Sequence, residues 1–286
     1  MNIAIVGSSG YMAGYLIKRF SDDENINIIK LDRTPGADFF IDLAEADQFD
    51  YNILDGIDMV LFMAAVVDQD KCAADFAFCW KIMVSGTEFF IRESLRRNCK
   101  VLFFSSDAVY DDIPGYIYTE SSKTNAITAY GKMKKYIEDK FISEDKFKTM
   151  RLSYVVSAED KFVRYCLECI KSNKTAEVFH PFYRCCVSVS DVTDAVLWFS
   201  ENWDYFAPSV LNLVGSELVS RVRIADELTR FLELKLKYEI VYPGDAFYKN
   251  RFKITQVRSL YIDRYRIIES NSFTEKIRKE LEGIEI

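Results

Sequence analysis

The sequence predicts an α/β fold: a doubly wound parallel sheet with a smaller C-terminal part. Three observations predict it. Short apolar runs alternate with stretches of helical spacing through the first half of the chain. Those runs are mostly apolar on both faces, as strands tend to be when helices cover both faces of a parallel sheet. A glycine-rich turn, Gly7 to Gly14, lies between the first such run and the first helix-like stretch.

In chain order, Asn2–Val6 reads as a strand and Tyr11–Phe20 as a helix. Asn27–Leu31 and Met59–Ala64 are the second and third strands. Phe76–Arg97 has helical spacing and ends on basic residues, which suit the negative end of the helix dipole. Val101–Ser105 is a fourth strand, Thr128–Ile142 a helix and Met150–Val156 a further strand. Lys161–Lys171 reads as a helix. Ser190–Asp191 looks like a cap, opening another helix to about Trp203. Val210–Val214 is a strand, and Ile224–Leu234 and Thr274–Leu281 are helices. No repeat and no Gly/Ser linker marks a boundary.

The 286 residues suit one or two domains and a core that needs no disulfide or metal. A net charge of −7 argues against coating nucleic acid or anionic membrane. The longest apolar run, Met59 to Val67, is nine residues, against about 20 for a membrane helix. The start of the chain carries no signal-peptide pattern. Seven cysteines, an odd number, then read as reduced thiols, which places the protein in a cytoplasm.

Three strings carry chemistry. In Gly7-Ser8-Ser9-Gly10-Tyr11-Met12-Ala13-Gly14, glycines let the backbone turn tightly and approach a pyrophosphate at a helix N-terminus. Asp32 follows Gly10 by 22 residues, near the ~20 expected of an acid that binds an adenosine ribose. Its carboxylate would repel a 2′-phosphate, a lean towards NAD; the adjacent Arg33 would welcome one, so NADP stays open. Tyr130-Gly131-Lys132-Met133-Lys134 places a phenol and an ammonium on one helix face. A cation near a phenol lowers its pKa and makes an acid/base, although the same spacing also occurs on solvated helices. Val101 to Tyr110 is an apolar strand ending in Ser105 and Ser106, hydroxyls at the sheet edge where ligands bind; a strand-ending turn is the plainer reading.

Taken together and in this order, these residues resemble the extended short-chain dehydrogenase/reductases, over most of the chain. The glycine string is similar to the family's G-x-x-G-x-x-G, with Ala13 at the third glycine. Asp42-Leu43 resembles the pair that contacts adenine, and Met63-Ala64-Ala65 the N-A-A after the third strand. Ser106 falls on the catalytic Ser/Thr, and Tyr130 with Lys134 on Tyr-x-x-x-Lys. Arg184 and Val187–Val192 resemble R…V-H-V-D-D-V, and Asn212–Gly215 the turn after it.

Within the family, Ser105–Asp111 is similar to the S-T-D-x-V-F-D of dTDP-4-dehydrorhamnose reductases. Lys134 with Glu138 is similar to their S-K-x-x-G-E, and Tyr261–Ile267 faintly to their C-terminal L-D-x-S-K-L. Departures are Met83 for a structural Asn, Ala126 for a Pro and Met133 for a Ser, and no C-terminal Arg-Pro is visible.

The resemblance implies a Rossmann domain binding NAD or NADP. Residues 1–157 would form it, with 186–213 returning to it, and 158–286 would be mainly a substrate-binding part. Gly7, Ser9, Gly10, Tyr11, Met12, Asp32, Arg33, Asp42, Leu43, Ala64, Ala65, Tyr130 and Lys134 would bind the cofactor. Tyr130 would protonate a carbonyl oxygen, Ser106 would bond it, and Lys134 would lower the Tyr130 pKa.

The implied substrate is a nucleotide-linked 4-keto-6-deoxy sugar, its diphosphate met by cations among Lys161, Arg164, Arg221, Arg251 and Arg258. Ala108 stands where sugar-nucleotide dehydratases carry a Glu base, which favours reduction over elimination. An epimerase of the same family and a non-catalytic dinucleotide-binding regulatory subunit are the alternatives. A homodimer is the assembly considered. Cys166, Cys169, His180, Cys185 and Cys186 lack the clean paired spacing of a zinc site and read as buried thiols beside a lone histidine, so no metal is expected.

Overall fold

The computed structural model describes residues 1–233, 235–282 and 284. Seven strands form the central sheet: β1 (Asn2–Val6), β2 (Asn27–Asp32), β3 (Phe39–Phe40), β4 (Met59–Phe62), β5 (Lys100–Ser106), β6 (Phe147–Leu152) and β7 (Val210–Leu213). Their order is β7-β6-β5-β4-β1-β2-β3. The pairs β1–β2, β1–β4, β2–β3 and β4–β5 are parallel. From β1 the chain works outward to β3, then starts again at β4 and works outward the other way. This reversal leaves a crevice at the carboxyl ends of β1 and β4, where open α/β sheets bind ligands. The side chains of Ile3–Val6 and Met59–Phe62 are all buried, as the doubly covered sheet demands.

Helix α1 (Tyr11–Ser21) buries Ala13, Leu16 and Phe20. The helix expected over Phe76–Arg97 is present as one continuous run to Arg96, with a π turn inside it. A short α2 (Gln69–Ala74), capped by Asp68, precedes α3 (Phe76–Trp80), capped by Asp75. A π turn over Lys81–Gly86 then leads into α4 (Thr87–Arg96). The widened turn has local causes. Thr87 Oγ1 donates to the Ile82 carbonyl (3.0 Å). A Cβ on Gly86 would stand 1.8 Å from the Leu43 oxygen, so the helix runs against that backbone. Helix α5 (Ala129–Phe141) starts at Thr128, whose hydroxyl accepts from Gly131 N.

The strand expected over Met150–Val156 is two strands. Strand β6 begins earlier, at Phe147, and ends at Leu152; Val155–Val156 pairs instead with Val187–Ser188. Lys148 and Arg151 hide the apolar pattern of β6, yet both are buried. Lys148 Nζ donates to the carbonyls of Phe206 (2.5 Å) and Pro208 (3.2 Å). Arg151 is held by Glu138 of α5 and by the Tyr110 hydroxyl.

Two compact units result. The first is residues 1–111, 123–151 and 197–211; the second is 112–122, 152–196 and 212–286. The stretch 186–196, expected to return to the dinucleotide domain, belongs to the second unit because Val187–Ser188 pairs with Val155–Val156. In the second unit α6 (Lys161–Lys171), α8 (Arg221–Phe231) and a last helix, Phe273–Leu281, share a core of Phe162, Cys166, Val178, Leu228 and Ile277. The α8 helix ends short of the expected Leu234, which lies outside the described residues.

Helix α7 (Val189–Asn202) is capped by Ser188 rather than by Ser190. The Ser188 hydroxyl accepts from Asp191 N (3.0 Å) and Asp191 Oδ2 accepts from Ser188 N (2.9 Å), a reciprocal box. Lys276 Nζ pairs with the same carboxylate at 2.9 Å.

Candidate active site

The glycine turn follows β1. Gly7 has φ +87°, and a Cβ there would come 2.7 Å from the Ala64 backbone. Only glycine suits both the backbone angle and the approach of the β4 loop. Gly10 precedes α1 and offers it no side-chain cap, which leaves amides of the first turn for an anion. Tyr11 and Ser9 are exposed, Met12 is half-buried, and Ala13 packs into the core.

Asp32 ends β2 as expected, and its carboxylate is already engaged. Oδ2 accepts from Ser9 N and Ser9 Oγ, both at 2.9 Å. Oδ1 accepts from Thr34 N (3.0 Å) and Thr34 Oγ1 (2.9 Å). These bonds hold its pKa below the usual carboxylate value against the opposing effect of burial. Asp32 is thus a clamp on the glycine loop, and a ribose hydroxyl must replace the hydroxyl of Ser9 or Thr34 to reach it. Thr34, two residues on, is an Asx-turn partner that the sequence reading passed over.

Arg33 is exposed beside it. Asp42 caps the 3₁₀ turn Leu43–Gln48 by accepting from Ala44 N (2.8 Å), and Leu43 is buried under Gly86. Ala64 lies against Gly7, and Ala65 packs with it on the core.

Ser106 closes β5. Its hydroxyl donates to Asp107 Oδ1 (3.1 Å) and accepts from Ala108 N (3.2 Å). Helix α5 meets this turn closely: a Cβ on Gly131 would be 1.9 Å from the Ala108 oxygen. The same approach sets Tyr130, the neighbour of Gly131, against the buried Asp107, whose charge it feels. Gly131 sits inside the Tyr-x-x-x-Lys string, so its signal was present and went unread.

Tyr130 and Lys134 are both buried. Their electrostatics correct the expectation. Burial pushes the Tyr130 phenol well above its ordinary pKa, and the charge of Asp107 adds to that. Lys134 does not lower it here, because its Nζ is turned to the Phe104 carbonyl (2.7 Å) and over the Phe103 ring (4.6 Å). Burial lowers the Lys134 pKa to about 8, opposed by the charge of Glu138. Glu138 itself is locked to Arg151, with Nε bonds of 3.1 and 3.0 Å.

The four cysteines weighed for zinc are buried free thiols, and His180 stacks edge-on against Tyr183 and Tyr242. Among the described residues no group of His, Cys, Asp and Glu is placed to hold a metal, and no helix is long and apolar enough to cross a membrane.

Comparison with known proteins agrees with this architecture. A dTDP-4-dehydrorhamnose reductase of Aggregatibacter actinomycetemcomitans is 22% identical over 134 residues, 46% of this chain. The aligned stretch covers 44% of that relative's length. The solved dTDP-4-dehydrorhamnose reductase of Clostridium acetobutylicum superposes with a TM-score of 0.83 over 98% of both chains, at 19% identity. A UDP-glucuronic acid 4-epimerase from Bacillus cereus, in complex with UDP-4-deoxy-4-fluoro-glucuronic acid and NAD, superposes with a TM-score of 0.82 over 98% of both chains, at 15% identity. The fold is shared with both solved structures, and the family model described as the RmlD substrate binding domain matches residues 1–247, so the chain belongs to that family.

Proposed function

We propose that the protein is an NAD(P)H-dependent reductase of a nucleotide-linked 4-keto-6-deoxy sugar. The observation that carries the reading is the close approach of α5, which bears Tyr130, to the turn that bears Ser106 and has no second carboxylate at position 108. Burial and Asp107 keep Tyr130 in its acid form, and carbonyl reduction needs a proton donor. Ser106 supplies a hydroxyl to orient the carbonyl oxygen. Ala108 has no group to remove a proton beside a ketone, so elimination lacks its base.

The cradle fits a dinucleotide. Gly7, Gly10 and the first turn of α1 would hold a pyrophosphate, with Tyr11 and Met12 beside it. Asp32 would take ribose hydroxyls in exchange for those of Ser9 and Thr34. Asp42 and Leu43 would meet the adenine, Ala64 and Ala65 would line the cleft, and Lys134 would swing from the Phe104 carbonyl to the second ribose. When bound, the nicotinamide supplies a hydride. The charge on Asp32 favours NAD, and Arg33 leaves NADP admissible. Reduced, buried thiols fit a cytoplasmic enzyme, and a homodimer is the assembly we favour.

The test is the purified protein with dTDP-4-keto-6-deoxyglucose and either reduced cofactor. A product gaining two hydrogens, with stoichiometric cofactor oxidation, is expected. An isomer of unchanged mass with no net cofactor change indicates an epimerase. Loss of water from an intact hexose nucleotide overturns the assignment to reduction. Dinucleotide binding with no turnover on any sugar nucleotide indicates a regulatory subunit.

A further inference from the structure

In the first unit, one guanidinium joins the helix that bears Tyr130 to the turn that follows Ser106. Arg151 stands on β6 and is 4% exposed, while Glu138 is 1% and Tyr110 0% exposed. The Arg151 Nε donates to both Glu138 oxygens (3.1 and 3.0 Å), and Nη2 donates to Oε2 (2.5 Å). Its Nη1 donates to the Tyr110 hydroxyl (2.8 Å), and the guanidinium carbon lies 5.2 Å from the Tyr110 ring centroid. Glu138 follows Tyr130 on α5 by eight residues, about 12 Å along a helix. Tyr110 closes the turn Asp107–Val109, its N–H donating to the Asp107 carbonyl (3.1 Å).

The helix is therefore registered against the turn at two points. In its first turn Gly131 lies against the Ala108 backbone. Two turns further on, Glu138 is tied through Arg151 to Tyr110. One contact would leave α5 free to pivot about it. Two contacts fix its rotation, and with it the place of the Tyr130 phenol relative to the Ser106 hydroxyl. The planar fork of arginine reaches two partners in fixed directions, which an ammonium does not.

Stability alone is a weak reason for this arrangement. Taking both charges out of water costs about what their pairing returns, and apolar side chains of similar volume often serve as well. A guanidinium this enclosed also meets no substrate.

We propose that Arg151 is a positioning residue of the candidate active site, holding α5 and the Ser106 turn in register through Glu138 and Tyr110. The inference rests on the reductase reading above, in which Tyr130 and Ser106 act on one carbonyl oxygen.

Steady-state kinetics with dTDP-4-keto-6-deoxyglucose and NADPH test it, beside calorimetric NADPH binding and urea melts. The double variant Glu138→Met with Arg151→Met leaves no charge buried alone, so the fold should hold. Its kcat should fall about 10²-fold, the cost of a displacement of about 1 Å. Its KM for the sugar nucleotide and its NADPH affinity should stay near the wild-type values. Tyr110→Phe keeps the ring and the ion pair and removes only the hydroxyl. Its kcat should fall about 10-fold, the rate equivalent of a single hydrogen bond, and it decides the matter where the double variant does not fold. A kcat that falls no further than the folded fraction overturns the positioning role and leaves the reductase reading standing. A raised KM or weakened NADPH binding with kcat kept does the same. Absence of turnover in the wild type overturns the reductase reading, and this inference with it.

Discussion

At the scale of single residues, burial decides the chemistry of the Tyr130–Lys134 pair. Helical spacing places both on one face, but it does not say which way the ammonium turns. Desolvation favours neutral forms of both groups, so the phenol stays protonated and the ammonium is weakened. Tyr130→Phe keeps the ring and removes the proton, so steady-state turnover should fall by about 10²–10⁴ while calorimetry shows the cofactor still bound. Lys134 also makes stability depend on pH. Its folded pKa, about 8, is below the ordinary 10.5, so the unfolded chain binds more protons between those values. The penalty for burying the charge is complete below pH 8 and fades as pH rises to 10.5. Urea denaturation of the wild type should therefore gain up to roughly 3 kcal/mol across that window, relative to Lys134→Met.

At the scale of elements, close backbone approach builds the site. Gly131 lets α5 touch the turn that carries Ser106, as Gly7 lets the β4 loop touch the glycine turn. Gly131→Ala would place a methyl 1.9 Å from the Ala108 oxygen, and neither backbone can bend away cheaply. We expect a loss of about 1–3 kcal/mol in denaturant melts, typical of overpacking. Turnover should fall further than the lost folded fraction explains, because Tyr130 moves with α5. The π turn before α4 belongs to this scale too. It is invisible to a 3.6-residue period, since one extra residue per turn arises from the meeting of Gly86 with Leu43.

At the scale of the whole molecule, the reversal of strand order places the glycine turn, Asp32 and the Ala64–Ala65 loop at one crevice. Only the folded chain holds them together, so a dinucleotide should stabilise it by mass action. NADH or NADPH at 100 times its dissociation constant should add about 2.7 kcal/mol and raise the melting temperature accordingly. Differential scanning calorimetry checks this. Gly7→Ala should abolish the shift, since its methyl meets the Ala64 backbone.

The strands β1, β4 and β5, the helix bearing Tyr130 and the glycine turn were legible in the sequence because each rests on local pattern: apolar runs, 3.6-residue spacing and turn chemistry. The places of Asp32, Ser106, Tyr130 and Lys134 followed from the same order of elements. Tertiary structure alone decided the rest. The start of β6 was hidden because Lys148 and Arg151 are polar in sequence and acquire partners only when Phe206, Glu138 and Tyr110 come near. The allegiance of Val187–Ser188 depended on a strand some thirty residues earlier, Val155–Val156. The charge states of Tyr130 and Lys134 depend on which groups water can reach. Solvent access is a property of packed surfaces, and no sequence spacing encodes it.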